Sequence, residues 1–281
     1  MTARVGPALA LVDGHNLLWR AAFGFPAVIR SRDGADRTAT FAFFALLRAG
    51  LAALGRPTEC IVCFDGEHNA TRRQRADHGY KRNRDGADLR PLLALPDVQR
   101  GLSALGVRWI ELDDEEADDV IASLVRLDPA RPTRIISTDR DYLQLVSDQV
   151  RLLVTAGRGG LRLLGPAEVL GRYGVAPRQW CDFRALVGDP ADHIPGIRGV
   201  GAKTAAKLLA GGATLETLQA SGRLVGAGHL GQRVRDQWER LLGWRELVRL
   251  RDQVPLPCTP SSTATPSLPA PRAVLEELNL W

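Results

Sequence analysis

A dense run of acidic residues lies near the middle of the chain, at residues 111–119 (ELDDEEADD). Seven of these nine residues are acidic. If a helix begins at Ala117, its apolar residues fall on one face, and Glu116, Asp118 and Asp119 fall on the other. Carboxylates this close repel one another and raise each other's pKa, and a bound hard cation relieves the repulsion. We therefore predict that this stretch holds a divalent metal ion.

A simpler explanation accounts for some of these acids. Asp113 followed three residues later by Glu116 is a helix-capping pattern, and acidic side chains stabilise the positive end of a helix dipole. Capping explains two or three carboxylates but not seven. The metal hypothesis therefore requires that more oxygen ligands reach this stretch from elsewhere in the chain.

Other acids follow short apolar runs that are typical of buried, parallel strands. These runs are residues 8–13 (ALALVD), 60–65 (CIVCFD) and 134–139 (RIISTD), and a further run, 107–112, leads into the acidic stretch. Their alternation with helices predicts a mainly parallel sheet with helices on both faces, and the carboxyl ends of its strands meet at one edge. Each acid alone is more often a turn or cap residue. Several from separate segments favour a shared site.

An arginine-rich segment, 68–90, follows the second of these strands. It has almost no aliphatic residues, so it cannot form a core by itself. The sequence predicts an arch beside the acidic edge, with basic side chains that follow phosphates and Tyr80 available to stack on a base. The alternative is a flexible charged loop, which is the commoner meaning of a charge run.

The second half, from about residue 164, is predicted to be helical. Residues 166–173 and 177–187 are helices with proline near the start, and Asp189 and Asp192 follow them. A Gly199–Val200–Gly201 turn then opens a helix that carries Lys203, Thr204 and Lys207. Free N–H groups at a helix start, with glycine and lysine nearby, are typical of a phosphate site. The spacing of a nucleotide P-loop is missing.

Composition limits the class of protein. A chain of 281 residues can bury a full core, and no apolar run approaches the ~20 residues of a membrane span. The first ten residues lack a secretory signal, and four scattered cysteines fit a reduced, cytoplasmic protein. The net charge is +5, with 37 basic and 32 acidic residues. Nine of the acids belong to the proposed cluster, so the rest of the protein has a higher positive charge than the whole chain. Such a surface would attract a polyanion.

Together these motifs resemble the bacterial 5′ nuclease family, which comprises flap endonucleases and the 5′–3′ exonuclease domain of DNA polymerase I. The resemblance covers residues 8–281 and is carried by LVDGHN, VCFDG, GYKRNR, EEADDVIASL, STDRDYLQL, GDPADHIPGIRGVGAKTA and VLEELNLW. It implies an α/β fold with a PIN-like, mainly parallel sheet flanked by helices, a helical arch and a C-terminal helix–three-turn–helix region. The implied activity is two-metal-ion hydrolysis of DNA phosphodiester bonds near single-strand/duplex junctions, in DNA replication and repair.

The resemblance also implies roles for individual residues. The metal carboxylates would be Asp13, Asp65, Glu116, Asp118, Asp119, Asp139, Asp141, Asp189 and Asp192. Catalytic roles would fall to Lys81, Arg84, Asp139 and Asp141. DNA contacts would come from Arg20, Arg73, Tyr80, Lys81, Arg84, Gly199, Val200, Gly201, Lys203, Thr204 and Lys207. Asp77 departs from the family pattern, which has an aromatic residue there, and Ala191 and His193 replace a serine and an asparagine beside Asp192.

The implied cofactors are two or three Mg²⁺ or Mn²⁺ ions, together with a K⁺ ion on the carbonyls of the 196–201 turn. The implied partner is DNA with a 5′ flap, a nick or a branch, and a separate DNA polymerase and ligase would act beside a stand-alone nuclease. We expect a monomer in the bacterial cytoplasm, associated with the nucleoid and not with a membrane.

The predicted domains are a nuclease domain at 1–163 with its arch at 68–90, and a helical DNA-binding region at 164–254 with its helix–three-turn–helix at 188–210. A Pro-rich linker at 255–271 and a docking helix at 272–281 complete the chain. Two alternatives stay open. A PIN-type ribonuclease would share the acidic sheet edge, and a non-catalytic DNA-binding module would use the glycine turn and the arginine surface alone.

Overall fold

A six-stranded sheet forms the centre of the molecule. The computed structural model describes residues 7–55, 58–69, 71–81, 88–155, 160–226 and 228–281. The strands are β1 (Ala8–Asp13), β2 (Thr58–Asp65), β3 (Arg108–Leu112), β4 (Thr133–Ile136), β5 (Val150–Thr155) and β6 (Leu161–Leu164), in the spatial order β3-β2-β1-β4-β5-β6. Neighbouring strands from β3 to β5 pair in parallel, and β6 runs antiparallel to β5. The predicted mainly parallel sheet is confirmed, whereas β6 was not predicted.

Helices cover both faces of this sheet. In the first part of the chain they are α1 (Gly14–Gly24), α2 (Thr38–Ala53), α3 (Thr71–Ala76), α4 (Leu95–Ala104) and α5 (Ala117–Leu127). Side chains alternate along β1, so Ala10 and Val12 pack with α1, α2 and α4, whereas Leu9 and Leu11 pack with α5. Every residue of β1 is buried, as expected for a strand covered on both faces.

A group of short helices continues the core on the α5 side. These are α6 (Pro166–Tyr173), α7 (Trp180–Val187), α8 (Ala202–Leu208), α9 (Leu215–Ala220), α10 (Arg223–Gly226), α11 (Gly228–Asp236) and α12 (Trp238–Val248). The predicted helix at 177–187 is a 3₁₀ turn, Pro177–Gln179, that runs into α7. Gly196 has a φ of 66°, and a Cβ there would lie 2.4 Å from the backbone nitrogen of Gly188. Glycine is therefore required where the chain turns back from α7 towards α8.

The segment 255–270 runs in an extended conformation past the sheet and ends at α13 (Pro271–Glu277). The backbone N–H of Thr265 donates to the carbonyl of Thr58 at 2.9 Å, and the N–H of Cys60 donates to the Thr265 hydroxyl at 2.8 Å. Val274 and Leu275 of α13 are buried. All four cysteines are free thiols, as predicted. Across the described ranges, every helix is too short or too polar to traverse a lipid bilayer.

Candidate active site

Two of the predicted acids lie at the carboxyl ends of adjacent strands. Asp13 ends β1 and caps α1, since it accepts from the Asn16 N–H at 3.0 Å. Its other oxygen accepts from the Ser137 hydroxyl at 3.0 Å and the Tyr142 hydroxyl at 3.2 Å. Asp65 ends β2 and accepts from the backbone N–H of Ala117 at 2.8 Å. These hydrogen bonds fix both carboxylates and fasten the start of α5 to the end of β2.

A cavity of about 510 Å³ opens at this edge of the sheet. Five predicted acids line it, from four separate segments of the chain: Asp13, Asp65, Glu116, Asp118 and Asp139. The remaining wall includes Lys81 and the aromatic side chains of His15, Trp19 and Tyr142. The parallel sheet therefore places carboxylates that are distant in sequence around one space.

Three further acids form a second group beside the first. Carboxylate oxygens of Asp141, Asp189 and Asp192 all lie within 4.8 Å of one another, and all three residues are buried. The backbone N–H of Asp141 donates to the Asp139 carboxylate at 2.9 Å, which joins the two groups. The Arg184 guanidinium pairs with Asp189 and lies 3.8 Å from Asp141. Arg184 therefore supplies one positive charge to the second group.

Asp119 lies in neither group. Its Oδ1 accepts from the Arg73 guanidinium at 2.7 Å and from the backbone N–H of Arg251 at 2.8 Å. Helix α5 begins at Ala117, as the pattern of apolar residues predicts, and Glu116 occupies the N-cap position, so the alternative explanation with a cap at Asp113 does not hold. The reason is that Asp65, from β2, supplies the acceptor for the first N–H group of the helix.

The charges at this site are strongly perturbed. Burial raises the pKa of Asp13 to about 7, and the nearby Asp65 contributes in the same direction. Burial also raises the pKa of Asp141 to about 7, with the charge of Asp139 adding to the effect. For Asp118, burial raises the pKa well above its usual range. Burial pushes the pKa of Glu116 upward too, but the charges of Lys81 and Arg73 outweigh burial and hold this pKa below its usual range.

Three buried carboxylate oxygens in the site have no hydrogen-bond partner within the described residues. They are Glu116 Oε1, Asp118 Oδ1 and Asp141 Oδ1. A buried carboxylate oxygen that accepts no hydrogen bond costs free energy, even though an arginine lies 3.6 Å from Asp118 Oδ1 and 3.8 Å from Asp141 Oδ1. An all-oxygen donor set of this kind suits a hard divalent cation. The residues present therefore fit a divalent metal site.

Three residues of the arch segment, Arg73, Tyr80 and Lys81, are turned towards the acids. Lys81 Nζ lies 2.6 Å from Glu116 Oε2, and Arg73 NH1 lies 2.9 Å from the same oxygen. Tyr80 is 3% exposed. In this structure the side chains of Arg73 and Tyr80 are buried against these acids, so neither presents an accessible surface for its predicted role, a DNA contact for Arg73 and base stacking for Tyr80. Arg84 lies outside the described residues.

The departure at Asp77 has a local explanation. The Asp77 carboxylate accepts from the Gly79 N–H at 2.7 Å, and the Asp77 carbonyl accepts from the Tyr80 N–H at 3.0 Å. Asp77 therefore ends α3 in a tight turn, in the way that short acidic side chains commonly stabilise turns. This turn directs Tyr80 and Lys81 towards Glu116.

The DNA contacts predicted in the second half mostly lie on the surface. Gly199, Gly201, Lys203 and Lys207 are exposed, Thr204 is half-buried, and the side chain of Val200 is buried. Lys203, Thr204 and Lys207 line a groove of about 750 Å³ together with Arg223. Arg20 is half-buried, and its guanidinium donates to the Thr155 hydroxyl at 2.6 Å.

Two residues of the site were missed by the sequence analysis. Trp19 lines the carboxylate cavity, and its ring centroid lies 5.7 Å from that of His15. The signal for Trp19 is its place on α1 four residues after His15, a spacing that puts both rings on the same side of the helix. Arg184 gave no signal, because an arginine in a helix is usually exposed.

Two family models match the chain. The model described as "5′-3′ exonuclease, N-terminal resolvase-like domain" covers residues 8–174, and that described as "5′-3′ exonuclease, C-terminal SAM fold" covers residues 175–269. The DNA polymerase I of Mycobacterium tuberculosis is 36% identical over 263 residues, which are 92% of this chain and 29% of the relative. The thermostable DNA polymerase I of Thermus thermophilus is 35% identical over 272 residues, or 95% of this chain and 32% of the relative. The chain thus spans about a third of the length of these relatives.

Two solved structures share the fold of this chain. The D15 protein of bacteriophage T5, co-crystallised with metal ions, aligns with a TM-score of 0.68 at 23% identity, over 86% of this chain and 89% of that one. The catalytic core of Rad2 in complex with DNA aligns with a TM-score of 0.63 at 16% identity, over 99% of this chain and 89% of that one. The predicted fold and the predicted family resemblance are confirmed. The chain belongs to the 5′–3′ exonuclease family of phosphodiester hydrolases.

Proposed function

We propose that this chain is a metal-dependent nuclease that cuts DNA near single-strand/duplex junctions, both as a 5′ flap endonuclease and as a 5′–3′ exonuclease. One observation carries the proposal. Eight carboxylates from five separate segments converge on one cavity and the acid group joined to it. Three of their buried oxygens lack a hydrogen-bond partner within the described residues. Family membership supports the same activity.

The acids would hold two Mg²⁺ or Mn²⁺ ions, and their negative charge is large enough for a third. The acids around the cavity would hold one ion, and Asp141, Asp189 and Asp192 would hold another. Divalent ions at such a site neutralise the phosphate and lower the pKa of water, which makes hydrolysis possible at neutral pH. The metal ions co-crystallised with the T5 protein support this assignment.

Side chains of this chain would prepare the reacting phosphate. Asp13 is held in one orientation by the donors Asn16, Ser137 and Tyr142. Lys81 lines the cavity and contacts Glu116, and in the substrate complex its ammonium group would turn to the scissile phosphate. A positive charge placed there stabilises the charge that develops on the phosphate during cleavage. Arg84 would act in the same way.

Trp19 takes the stacking role first assigned to Tyr80. The half-buried ring of Trp19 lines the cavity, with the ring of His15 beside it. Opening the terminal base pair of the duplex costs a few kcal/mol. Stacking of a base on an aromatic ring contributes ~1–3 kcal/mol, so Trp19 could offset part of that cost.

The 164–254 region would hold the duplex while the 1–163 region cleaves it. Lys203 and Lys207 are exposed on α8, beside the glycine turn and the groove that Arg223 also lines. Phosphates of the duplex would bind there through charge and backbone N–H groups. A K⁺ ion on the 196–201 turn remains part of the proposal. In the same turn the carbonyl of Arg198 accepts from the Arg233 guanidinium at 3.0 Å.

The substrates in the cell would be 5′ flaps, nicks and branches left by replication and repair. A separate DNA polymerase would create such ends and a ligase would seal the product. We propose a monomer in the bacterial cytoplasm, associated with the nucleoid. Supporting this, the relatives are bacterial DNA polymerases I, and the chain matches about a third of their length.

The test is cleavage of 5′-labelled flap, nicked and blunt DNA, and of RNA, with Mg²⁺ or with EDTA. The wild type should cut flap and nicked DNA with Mg²⁺ alone. The double variant Asp139→Asn/Asp141→Asn should bind flap DNA without cutting it. Cleavage of RNA only would favour the PIN-type ribonuclease. Binding without cleavage by the wild type would favour a non-catalytic module, and full activity of the double variant would refute the site.

A further inference from the structure

We propose that Arg73 is a positioning residue that fixes the acids at the start of α5 and sets their affinity for metal, and that Asp119 anchors Arg73 instead of binding an ion. The inference rests on the proposed metal site. It replaces the DNA contact predicted for Arg73 from the sequence, and it removes Asp119 from the predicted set of metal ligands.

The Arg73 guanidinium contacts three acids on one turn of helix. NH1 lies 2.9 Å from Glu116 Oε2 and 3.6 Å from Asp118 Oδ1, and NH2 lies 2.7 Å from Asp119 Oδ1. The side chain is 9% exposed. A planar guanidinium can reach two carboxylates at once in fixed geometry, which an ammonium group cannot. Arg73 therefore holds Glu116 and Asp119 apart at a fixed distance, with Asp118 between them.

The Asp119 carboxylate already accepts hydrogen bonds from donors of the chain itself. Its Oδ1 accepts from Arg73 and from the backbone N–H of Arg251, and its side chain is 4% exposed. By contrast, Glu116 and Asp118 line the cavity, and each has a buried oxygen without a hydrogen-bond partner among the described residues. The same turn of helix thus carries two acids, Glu116 and Asp118, that reach both the cavity and Arg73, and one acid, Asp119, that does not line the cavity.

Arg73 also joins the arch to the metal site. It lies on α3, the first helix of the arch segment, and its second donor group reaches the carbonyl of Arg249 at 3.5 Å. Its positive charge neutralises part of the acid cluster. Without Arg73, these three acids would keep as counter-charges Lys81 beside Glu116 and the more exposed guanidinium of Arg251, 4.0 Å from Asp119. The metal-free protein would then be less stable, and an added cation would bind more tightly.

The experiment compares Arg73→Gln with Arg75→Gln, which makes the same charge change at an exposed position on the same helix. Thermal unfolding is followed in EDTA and during titration with MnCl₂, and flap-DNA binding is measured in Ca²⁺. We expect Arg73→Gln to unfold at a lower temperature in EDTA and to need about tenfold less Mn²⁺ for half-maximal stabilisation (about 1.4 kcal/mol). Its DNA affinity should stay within about twofold of the wild type, because a buried charge displaces no counterion from phosphate.

Arg75→Gln should weaken DNA binding and leave the Mn²⁺ titration unchanged. Arg73→Lys keeps the positive charge but lacks the planar guanidinium that reaches two acids at once. This variant should therefore unfold at a lower temperature in EDTA and bind Mn²⁺ as the wild type does. Asp119→Asn should change the Mn²⁺ midpoint by less than about twofold, whereas Asp118→Asn should weaken it by about tenfold or more.

Three results would overturn the inference. A wild-type Mn²⁺ midpoint in Arg73→Gln would reduce Arg73 to a packing role. A loss of DNA affinity in Arg73→Gln as large as that in Arg75→Gln would restore the DNA contact. Equal losses of Mn²⁺ affinity in the Asp119 and Asp118 variants would make Asp119 a ligand. If Mn²⁺ fails to stabilise even the wild type, the proposed metal site fails, and the inference fails with it.

Discussion

Replacing Asp141 by asparagine is expected to stabilise the metal-free protein while abolishing its activity. Asp141 is buried, its Oδ1 lacks a hydrogen-bond partner among the described residues, and it lies in the acid group with Asp189 and Asp192. Burial, and then the charge of Asp139, raise its pKa to about 7. At neutral or higher pH the folded protein must therefore carry a charge that its surroundings disfavour. Asparagine has nearly the same shape and no charge.

The size of the effect follows from the pKa difference between the folded and unfolded states. The folded pKa lies above the ordinary value of 3.8, so folding binds a proton at intermediate pH. The resulting stability is fully present below about pH 4 and is lost as the pH rises through 7. One pKa unit corresponds to about 1.4 kcal/mol, so ionisation at pH 8 costs the folded state about 4 kcal/mol at most. At pH 5 the corresponding cost is less than half of this, because the folded carboxyl is then protonated.

We expect Asp141→Asn to recover about 2–4 kcal/mol at pH 8, since the new amide loses the attraction of Arg184. An unfolding entropy of about 2 cal/mol/K per residue converts this to a rise in Tm of about 3–7 °C for a chain of this length. Calorimetry in EDTA at pH 8 and pH 5 measures it, and the advantage should shrink by more than half at pH 5. Asp148→Asn, at an exposed position nearby, is the control and should change Tm little at either pH.

Loss of stability in Asp141→Asn, equal at both pH values, would refute the reasoning. It would mean that the carboxylate is satisfied in the metal-free protein, so that the acid group has no unmet charge to offer a cation. With Mg²⁺ present the wild type should become the more stable of the two proteins, because it gains more stability from the bound ion than Asp141→Asn does. The same side chain would then cost the protein stability without metal and provide its activity with metal.

Two further predictions concern the substrate. Lys81→Ala should slow single-turnover cleavage of flap DNA by ~10²-fold and leave the binding constant nearly unchanged, since the lysine acts on charge that develops in the transition state; equal single-turnover rates would remove Lys81 from this role. The pair Lys203→Ala/Lys207→Ala should weaken flap-DNA binding and reduce the slope of log K against log salt by about two, because two fewer counterions are released. Fluorescence anisotropy between low and moderate salt measures that slope, and an unchanged slope would place the duplex elsewhere.

The sequence predicted the acid edge because its signals are local. Asp13 and Asp65 each end an apolar run, and parallel strands must bring such ends together. Strand lengths were less predictable. The predicted run 134–139 ends as a strand at Ile136, because Ser137 turns away to hydrogen-bond Asp13 and Asp139. The sequence of β6 does not predict a strand, because β6 is a short, half-exposed edge strand that contains an arginine.

Partners distant in sequence explain the remaining differences between the predicted and the observed surroundings of Arg73 and Tyr80. Composition marks the 68–90 segment as basic but cannot tell which cation faces DNA and which faces an acid of the same chain. Arg73 was assigned to DNA, yet its partners Glu116 and Asp119 lie more than 40 residues away. Tyr80 was assigned to stacking, yet the turn at Asp77 directs it into the core. Only the folded arrangement of α3 against α5 decides these cases.

The charge balance of the site explains why it can both fold and bind metal. Nine acids meet three largely covered cations of the chain, Arg73, Lys81 and Arg184, which leaves six formal negative charges. The more exposed guanidinium of Arg251 lies 4.0 Å from one of these acids, Asp119, and is not counted here. If basic side chains neutralised all of these acids, the site would have no affinity for a cation. If they neutralised no acid, the repulsion and burial of the carboxylates would destabilise the folded state. Two divalent ions balance four of the six charges. The raised pKa values of about 7 for Asp13 and Asp141 describe the metal-free protein. Because both acids are proposed ligands of the first two ions, metal binding would release their protons, so the affinity for those ions should rise as the pH rises through 7.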